Sequence, residues 1–327
     1  MRTRPRESAR VPEEVQRALE GSGPFLITGH LNPDGDSLGT ALALAAWLRG
    51  RGEPAHVVSV GGVPGSYGFL PGAHSVTSEF PPDHGDPVAV IVDSPTLVRV
   101  GAPDRYFDRA RLVVNIDHHP DNTGFGDAAF VDPTASSAAL LAFEIMRGAG
   151  AAFTREIAGL LYVGILTDTG GFRFANTDAR TLRAAAELVA HGARSAELAS
   201  EVFGALASGE LRLLGLVLSS VESIAGGRVT LLSLTDRMRG DARATGDGIE
   251  GLASFGCLVR GSEVAVLLRE DGRSVRASLR SNGGVDVGGI ARSLGGGGHG
   301  GASGVLLDGP LSEARTRILS AIEKQLG

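Results

Sequence analysis

Cysteine is almost absent from this 327-residue sequence, and Cys257 is the only one. A single cysteine excludes an intramolecular disulfide and any cysteine cluster for zinc or iron–sulfur. Apolar runs of the roughly 18 to 20 residues that span a bilayer are also missing, so we expect no membrane segment. The N-terminal stretch carries both charge signs without an apolar core and does not resemble a secretion signal. These absences predict a cytoplasmic protein.

Basic residues are fewer than acidic ones, and the formal net charge is −6 at pH 7. Binding to duplex nucleic acid depends on many contacts between cationic side chains and phosphates, and this charge balance argues against it. A short anionic substrate needs only a local group of cations. Residues 251–300 supply six arginines against four acids, so a small anion remains a suitable partner.

The first half of the chain alternates short apolar runs with helical patterns. The runs PFLITGH, AHVVSV, PVAVIVDS and RLVVNIDHH are rich in β-branched residues and bounded by turn residues. Nearly continuous apolar runs of this kind indicate strands buried on both faces, as in a parallel sheet. The segments between and after them carry apolar residues at helical spacing. This alternation predicts an α/β fold with a mostly parallel sheet.

The predicted secondary structure changes twice in the second half of the chain. From about Thr177 to Ile224 the pattern is almost entirely helical, and strands then return as RVTLLSLT, SEVAVLLRE and SVRASLRSN. A glycine-dense loop, GGIARSLGGGGHGGASG, a strand GVLLDG and a closing helix complete the chain. We predict an α/β domain over residues 1–190, a helical connector over residues 191–225, and a smaller α/β domain over residues 226–327.

Acidic and imidazole side chains follow several of the predicted strands. His30 ends the first strand and precedes Asp34 and Asp36, just before a helix that begins at about Ser37. The arrangement recurs at Asp93 after the strand VAVIV, at Asp117, His118 and His119 after the strand RLVVNI, and at Asp168 after a helix. Because ligands bind at the carboxyl edge of parallel strands, we expect these side chains to meet there.

The first of these clusters has a plainer interpretation when it is taken alone, in which Asp36 caps the helix and Asp34 holds the turn. Its repetition favours a site. Several carboxylates at one edge repel each other and raise each other's pKa unless cations neutralise them. Two divalent cations resolve this conflict, and pairs of ions about 3.5 to 4 Å apart serve in phosphoryl hydrolysis. Carboxylates with imidazoles and no thiolates favour manganese, with magnesium as the alternative.

Five ordered motifs resemble those of the DHH/DHHA1 phosphoesterases. They are HLNPDGD, the isolated Asp93, the DHH triplet at residues 117–119, TDTGGFRF from residue 167, and GGGGH at residues 295–299. The resemblance runs from about Val15 to the C-terminus and is nearest to the branch of nanoRNases and pAp phosphatases. It implies a DHH catalytic domain, a DHHA1 substrate-binding domain and hydrolysis of phosphate esters.

The resemblance also implies which residues bind which ion. One ion is held by His30, Asp34 and Asp93. The other is held by Asp36, Asp93, His118 and Asp168. In this arrangement Asp93 bridges the two ions.

Two further residues of the triplet receive roles from the resemblance. Asp117 stands behind the ligands and orients an imidazole through a hydrogen bond, although a turn residue at the end of a strand is its plainer interpretation. His119 contacts the scissile phosphate and helps to protonate the leaving oxygen, a task that suits a group with a pKa near neutrality. A structural histidine is the alternative.

The C-terminal motifs supply the implied substrate surface. Glycines let backbone amides approach a phosphate closely because they leave no side chain in the way. Arg276, Ser278 and Arg280 lie two residues apart on a predicted strand and therefore share one face, which could also be an ordinary solvated face. The predicted substrate-binding set is Arg276, Ser278, Arg280, Ser281, Gly296, Gly297, Gly298 and His299.

The sequence departs from the branch pattern after Asp132. Relatives commonly carry a Ser-Thr pair and a glutamate at the start of the next helix, where SSAALLAFE places Ala138 and Leu140. The departure leaves the metal site intact but removes side chains that would tune the phosphate pocket. Arg173 in GFRF is a candidate for partial compensation or a plain surface residue.

By resemblance we expect a metal-dependent enzyme that cleaves oligonucleotides of about two to five residues to mononucleotides, and pAp to AMP. One alternative is a phosphodiesterase for cyclic or linear dinucleotides such as c-di-AMP and pApA, which would use the same metal site. The other is a nucleotide-binding regulator without turnover, which predicts a broken motif. The expected partners are short single-stranded RNA or DNA or small nucleotides, with no membrane, and a second copy in a homodimer.

Overall fold

The computed structural model describes residues 10–79, 85–101, 108–204, 207–244, 251–282, 284–298 and 300–326. The chain forms two compact units, Met1–Ala205 and Leu206–Gly327. The division between the units falls inside the predicted connector, residues 191–225, and the boundaries of three segments stay a prediction.

The first unit is built on five parallel strands. They are β1 (Phe25–Thr28), β2 (Ala55–Val58), β3 (Val88–Val92), β4 (Leu112–Asp117) and β5 (Ala128–Val131). The sheet has the order β2-β1-β3-β4-β5, and each neighbouring pair runs in parallel. The first four strands confirm the predicted apolar runs. The sequence pattern missed β5, whose four residues are too few to show a period.

Both faces of this sheet are covered, as continuous apolar strands require. Ile27 and Val90 face the larger core, which the helices of this unit complete. Leu26 and Ile91 point the other way, into a smaller cluster that includes Val100. The alternation along each strand explains why every residue of β1 and β3 is buried.

The structure describes six helices in the first unit. They are α1 (Glu13–Glu20), α2 (Gly35–Gly50), α3 (Ala138–Gly148), α4 (Arg155–Asp168), α5 (Ala179–Ala190) and α6 (Ser195–Phe203). Asp34 caps α2, since its carboxylate accepts the N–H groups of Asp36 and Ser37 at 3.0 Å each. The helix thus begins at Gly35 rather than at about Ser37, and Asp36 lies in its first turn instead of capping it.

Small residues let helices α2 and α4 approach each other closely. A Cβ atom added to Gly39 would lie 2.5 Å from the carbonyl oxygen of Leu160. A Cβ atom added to Gly164 would lie 2.5 Å from the Cβ of Ala139 and 2.8 Å from Oδ1 of Asp36. Glycine is therefore required at both positions, and the distance between the first turn of α2 and the end of α4 depends on them.

The second unit has a mixed sheet. Its strands are β6 (Glu222–Ile224), β7 (Val229–Leu234), β8 (Val264–Asp271), β9 (Ser274–Ser281), β10 (Gly297–Gly298) and β11 (Ala302–Asp308). The order is β10-β11-β9-β8-β7-β6, in which β7 and β8 are parallel and the other neighbours antiparallel. The predicted strands RVTLLSLT, SEVAVLLRE, SVRASLRSN and GVLLDG are confirmed.

Helices cover the sheet of the second unit unevenly. They are α7 (Ser208–Ser219), α8 (Asp236–Ala242), α9 (Leu252–Gly256), α10 (Val287–Ser293) and α11 (Leu311–Leu326). Helices α10 and α11 complete one core, and α7, α8 and α9 form a second, smaller one. The expectation of a continuous glycine-dense loop is wrong at residues 288–293, which belong to α10. There Asp286 caps α10, and Ile290 and Ala291 are buried.

No single helix among the described residues has the length and hydropathy to cross a membrane. One bent pair, Ser195–Phe203 with Ser208–Ser219, meets both criteria only when the two helices are taken together.

The contact between α2 and α4 predicts a sharp difference between two glycines of the same helix. Gly39→Ala should lower the free energy of unfolding by about 2 kcal/mol or more, because its Cβ meets a backbone oxygen that cannot move alone. Gly50→Ala has open space around the added carbon and should change stability by less than about 1 kcal/mol. Urea unfolding of both variants measures this, and equal stabilities would contradict the packing.

Candidate metal centre

The predicted ligands of the first unit converge at the carboxyl edge of its parallel sheet. His30, Asp93 and His118 follow strands β1, β3 and β4. Two helices add carboxylates at the same edge. Asp36 lies in the first turn of α2, and Asp168 is the last residue of α4. The sheet and the α2–α4 contact together bring these side chains to one place.

Asp93 lies at the centre of the cluster, and its two oxygens face different partners. Oδ2 is 3.2 Å from Nε2 of His30, which is itself 3.8 Å from Oδ2 of Asp34. Oδ1 is 3.4 Å from Nε2 of His118. That same His118 nitrogen is 3.1 Å from Oδ2 of Asp168 and 3.9 Å from Oδ2 of Asp36. Asp93 thus has one oxygen beside His30 and the other beside His118.

Side-chain atoms that could bind a metal form three compact groups among the described residues, and the atoms of each group lie within 4.8 Å of one another. They are His30 with Asp34 and Asp93, Asp36 with His118 and Asp168, and Asp93 with His118 and His119. Oxygen and nitrogen ligands about 2.1 Å from a divalent ion lie about 3.0 to 3.4 Å apart. The separations from the His118 nitrogen to the carboxylates of Asp168 and Asp36 are 3.1 and 3.9 Å, and small movements would bring these ligands to such an ion.

The backbone of Asp93 is held in the left-handed region, with φ 51°. This conformation is uncommon outside glycine, although aspartate tolerates it better than most residues. The N–H of Asp93 donates to the carbonyl of Ile116 at 2.9 Å, which ties the end of β3 to β4. Strained backbone of this kind persists where the surrounding structure imposes it, and it occurs often at functional sites.

The pKa values of the cluster show that its carboxylates favour positive charge on the neighbouring imidazoles. Burial lowers the pKa of His30, but hydrogen bonds to Asp34 and Asp93 outweigh it and raise that pKa to about 10. Burial also lowers the pKa of His118, and the attraction of Asp168 more than reverses this. Burial alone would raise the pKa of Asp93, yet hydrogen bonds from His118 and His30 hold it well below the ordinary range. The protonated imidazoles of His30 and His118 thus supply positive charge to the cluster.

The other two carboxylates are pushed toward the neutral form. Burial raises the pKa of Asp36, and repulsion by Asp168 and Asp93 adds to the effect. Burial also raises the pKa of Asp168, against the opposing attraction of His118. Protonated imidazoles therefore satisfy only part of the negative charge, and divalent cations would satisfy the rest.

A hydrogen-bonded chain orients His119. Oδ1 of Asp117 lies 2.7 Å from Nδ1 of His119, and Asn122 donates to Oδ2 of Asp117 at 2.6 Å. Asn122 donates also to Asn115 at 2.8 Å. Burial would raise the pKa of Asp117, but the hydrogen bond to His119 lowers it. Asp117 is thus an ionised acceptor that turns the other ring nitrogen of His119 outward. The sequence signal for Asn122 was its place in the NTG turn just after the triplet.

Asp36 is also bound by the N-terminus of α3. Its two oxygens accept the N–H groups of Ala138 at 2.6 Å and Ala139 at 2.8 Å, and Thr40 donates to it at 3.2 Å. These donors are backbone groups apart from Thr40, so the departure at Ala138 and Leu140 leaves this contact unaffected. Leu140 is buried in the core. Arg173 donates to the carbonyl of Gly170 at 2.6 Å and is otherwise exposed.

A buried ion network behind α3 escaped the sequence analysis. Arg180 donates to both oxygens of Glu144, at 2.7 and 2.5 Å, and to Asp132 at 2.6 Å. Burial disfavours the charge of Arg180, but the hydrogen bond to Glu144 outweighs it and raises its pKa. Asp132 also accepts from Thr134. The available signal was a lone charge in each of two apolar helical patterns, Glu144 in AALLAFEIM and Arg180 on the face of Ala184 and Leu188.

The predicted substrate residues lie on the sheet of the second unit. Arg276 and Ser278 alternate with buried Val275 and Ala277 along β9, and Arg280 continues the row. Ser281 pairs with Val264, which belongs to the core on the other face of the sheet, so Ser281 does not share the row of Arg276. Its hydroxyl is buried without a hydrogen-bond partner among the described residues. Arg276 lies 3.6 Å from Asp271, and Arg280 has partners of its own.

The glycine motif stands beside this row. Gly297 pairs with Gly304 of β11, and Gly304 pairs with Ser278 of β9. A Cβ atom added to Gly296 would lie 2.3 Å from the carbonyl oxygen of Gly304, and one added to Gly298 would lie 2.6 Å from that of Ala302. Glycine therefore allows this close pairing. His299 lies outside the described residues.

Comparisons with known proteins define the class. The "DHH family, N-terminal domain" profile matches residues 24–165 and the "DHHA1 domain" profile matches residues 226–327. The chain belongs to the DHH/DHHA1 family of phosphoesterases, as the five motifs predicted. Its similarity to the bifunctional oligoribonuclease and PAP phosphatase NrnA of Thermus thermophilus is 38% identity over 332 residues, which cover 98% of this chain and 95% of the relative.

A second relative agrees with this assignment, and a solved structure shares the fold. The bifunctional oligoribonuclease and PAP phosphatase NrnA of Bacillus subtilis is 28% identical over 294 residues, 89% of this chain and 91% of the relative. The crystal structure of an exopolyphosphatase-related protein from Bacteroides fragilis superposes with a TM-score of 0.90 at 24% identity, covering 97% of this chain and 98% of that one. The predicted fold class is confirmed.

The raised imidazole pKa values predict that metal binding releases protons. At pH 7 His30 carries a proton in the metal-free protein, since its pKa is about 10, and a metal ligand must be deprotonated. Apparent affinity for Mn²⁺ should therefore rise with pH below that value. Calorimetric titration in two buffers of different ionisation enthalpy measures the protons released. Binding heats that do not depend on the buffer would contradict the charge state described here.

The buried network predicts a large cost for losing its cation. Arg180→Gln leaves two buried carboxylates without their partner and should lower the free energy of unfolding by about 3 kcal/mol or more. Arg183→Gln removes the same charge from the exposed face of the same helix and should cost less than about 0.5 kcal/mol. Parallel urea unfolding compares them, and similar midpoints would refute the assigned role of Arg180.

Proposed function

We propose that this chain is a two-metal phosphoesterase that cleaves short oligonucleotides to mononucleotides and converts pAp to AMP. The observation that carries the proposal is the placement of Asp93, with one carboxylate oxygen beside His30 and the other beside His118. Carboxylates with imidazoles suit manganese, and magnesium is the alternative. The names of the two NrnA relatives point to the same pair of substrates.

Under this proposal the ligand sets follow the two groups around Asp93. His30 and Asp34 complete one site with Asp93. Asp36, His118 and Asp168 complete the other. When bound, two divalent cations lower the pKa of water and stabilise the negative charge that develops on the phosphate during hydrolysis.

His119 is the proposed proton donor. Its Nδ1 is held by Asp117 at 2.7 Å, so its Nε2 points outward and can carry a proton toward a leaving oxygen. In the reaction the oxygen of water bonds to phosphorus and releases a proton to the solvent, while the bond from phosphorus to the ribose 3′-oxygen breaks and that oxygen accepts the proton of His119. The imidazole regains a proton from the solvent.

One bond type accounts for both substrates. Hydrolysis of pAp to AMP and cleavage of a dinucleotide to 5′-mononucleotides both break a bond between phosphorus and a ribose 3′-oxygen. The two substrates differ only in whether the phosphate carries a second ester. A single metal centre is therefore sufficient for both reactions, and no second catalytic site is needed.

The second unit supplies the proposed substrate surface. Arg276, Ser278 and Arg280 share one face of β9, and arginine side chains bind phosphates through paired N–H donors. Gly296, Gly297, Gly298, His299 and Ser281 belong to the proposed surface as well, although Ser281 lies outside the row. The cytoplasmic location and the homodimer stay predictions.

The test is hydrolysis of four substrates in parallel with Mn²⁺: an RNA dinucleotide, a 24-mer, pAp and cyclic di-AMP. We expect fast cleavage of the dinucleotide and pAp and slow cleavage of the 24-mer. Asp93→Asn keeps the size of the side chain and tolerates the left-handed backbone, and it should reduce every rate by at least about 100-fold. Circular dichroism of the variant checks that it is folded.

The remaining outcomes discriminate the alternatives. Dominant turnover of cyclic di-AMP would reassign the enzyme to dinucleotide signalling. Absence of metal-dependent hydrolysis of all four substrates would leave a nucleotide-binding protein without turnover and would end the enzyme proposal.

A further inference from the structure

A short 3₁₀ helix, Leu97–Val100, follows Asp93 and places an arginine beside the metal centre. The carbonyl of Arg99 accepts the N–H of Leu31 at 2.7 Å, which links the loop after β3 to the loop after β1. The next residue, Val100, is 1% exposed and anchors the turn in the smaller core cluster. The backbone of Arg99 is thus fixed between the loops that carry Asp93 and His30.

The side chain of Arg99 points at His119. Its Nη1 lies 3.5 Å from Nε2 of His119, the nitrogen that faces away from Asp117. The residue as a whole is exposed, and no carboxylate of the described residues forms an ion pair with it. A guanidinium has only N–H donors. Its contact with His119 is long for a hydrogen bond, and its positive charge has no anionic partner among the described residues.

An oxyanion placed between these two groups would satisfy both. Phosphate oxygens accept from the forked donors of arginine and from an imidazole N–H. We propose that Arg99 binds the phosphate that is being hydrolysed, together with His119, and that it favours a doubly charged phosphomonoester over a singly charged diester. This inference rests on the proposed function and adds a determinant of substrate preference within it.

The preference follows from charge. A phosphomonoester carries close to two negative charges at pH 7 because its second pKa is about 6, whereas a diester carries one. Coulomb attraction is proportional to the product of the charges. A contact with one cation therefore stabilises a bound monoester about twice as much, in free energy, as a bound diester, so the fold-change for the diester is about the square root of that for the monoester.

The test compares Arg99→Gln, Arg99→Lys and a control. Arg109→Gln removes one exposed positive charge from the chain just before β4, at the opposite end of that strand from Asp117. A charge-assisted hydrogen bond contributes roughly tenfold to hundredfold in affinity. With Mn²⁺ we expect Arg99→Gln to lower kcat/KM by about 30-fold for pAp and about 5-fold for an RNA dinucleotide. Arg99→Lys should recover most of the difference between substrates, and the control should match the wild type.

Binding of AMP provides a readout that does not depend on turnover. AMP is a phosphomonoester, and it retains the attacked phosphorus when an RNA dinucleotide is cleaved at the 3′-oxygen. Calorimetric titration of the manganese-loaded proteins should show about tenfold weaker binding to Arg99→Gln and unchanged binding to Arg109→Gln. If the wild type hydrolysed neither substrate, the proposed function would fail, while the AMP affinities would still decide the role of Arg99.

Two results would overturn the inference. Arg99→Gln with the rates and AMP affinity of the control would show that Arg99 makes no contact with the phosphate. Equal losses on pAp and the dinucleotide would show that Arg99 does not discriminate by phosphate charge.

Discussion

The concentration of negative charge around Asp93 is the constraint on which the site depends. Asp34, Asp36, Asp93 and Asp168 share one edge of one sheet, and the partly buried imidazoles of His30 and His118 are the nearest positive partners. Like charges at such distances are tolerated only with compensating cations. The raised pKa of His30 and the raised pKa of Asp36 are two responses to the same excess charge. Under the proposed function, a pair of divalent ions would remove the cause of both.

The rest of the first unit holds this charge in place. Glycines in α2 and α4 let the two helices approach, so that Asp36 and Asp168 reach the cluster. The N-terminus of α3 donates two backbone N–H groups to Asp36, and Arg180 joins Glu144 of α3 to Asp132. Asn122 donates a hydrogen bond to Asp117, and Asp117 in turn orients His119. The metal centre thus draws on the packing of the whole unit.

Sequence reasoning succeeded where the pattern was local. Continuous apolar runs predicted β1 to β4, and strand-end carboxylates predicted that His30, Asp93 and His118 would meet. It failed where the evidence lay in three dimensions. Arg99 follows Asp93 by six residues with no distinguishing spacing, and its meaning depends on the position of His119. Helix α10 was concealed by flanking glycines, and β5 was too short to show alternation. Backbone donors to Asp36 have no residue signature at all.

The most direct test of the central claim is to locate the ions themselves. Crystals grown with Mn²⁺ and measured at the manganese absorption edge should show two anomalous peaks in the first unit, about 3.5 to 4 Å apart, with the carboxylate of Asp93 between them. His30 should bind one peak and His118 the other. A single peak, or two peaks that do not share Asp93, would contradict the account of the site as a bridged two-metal centre.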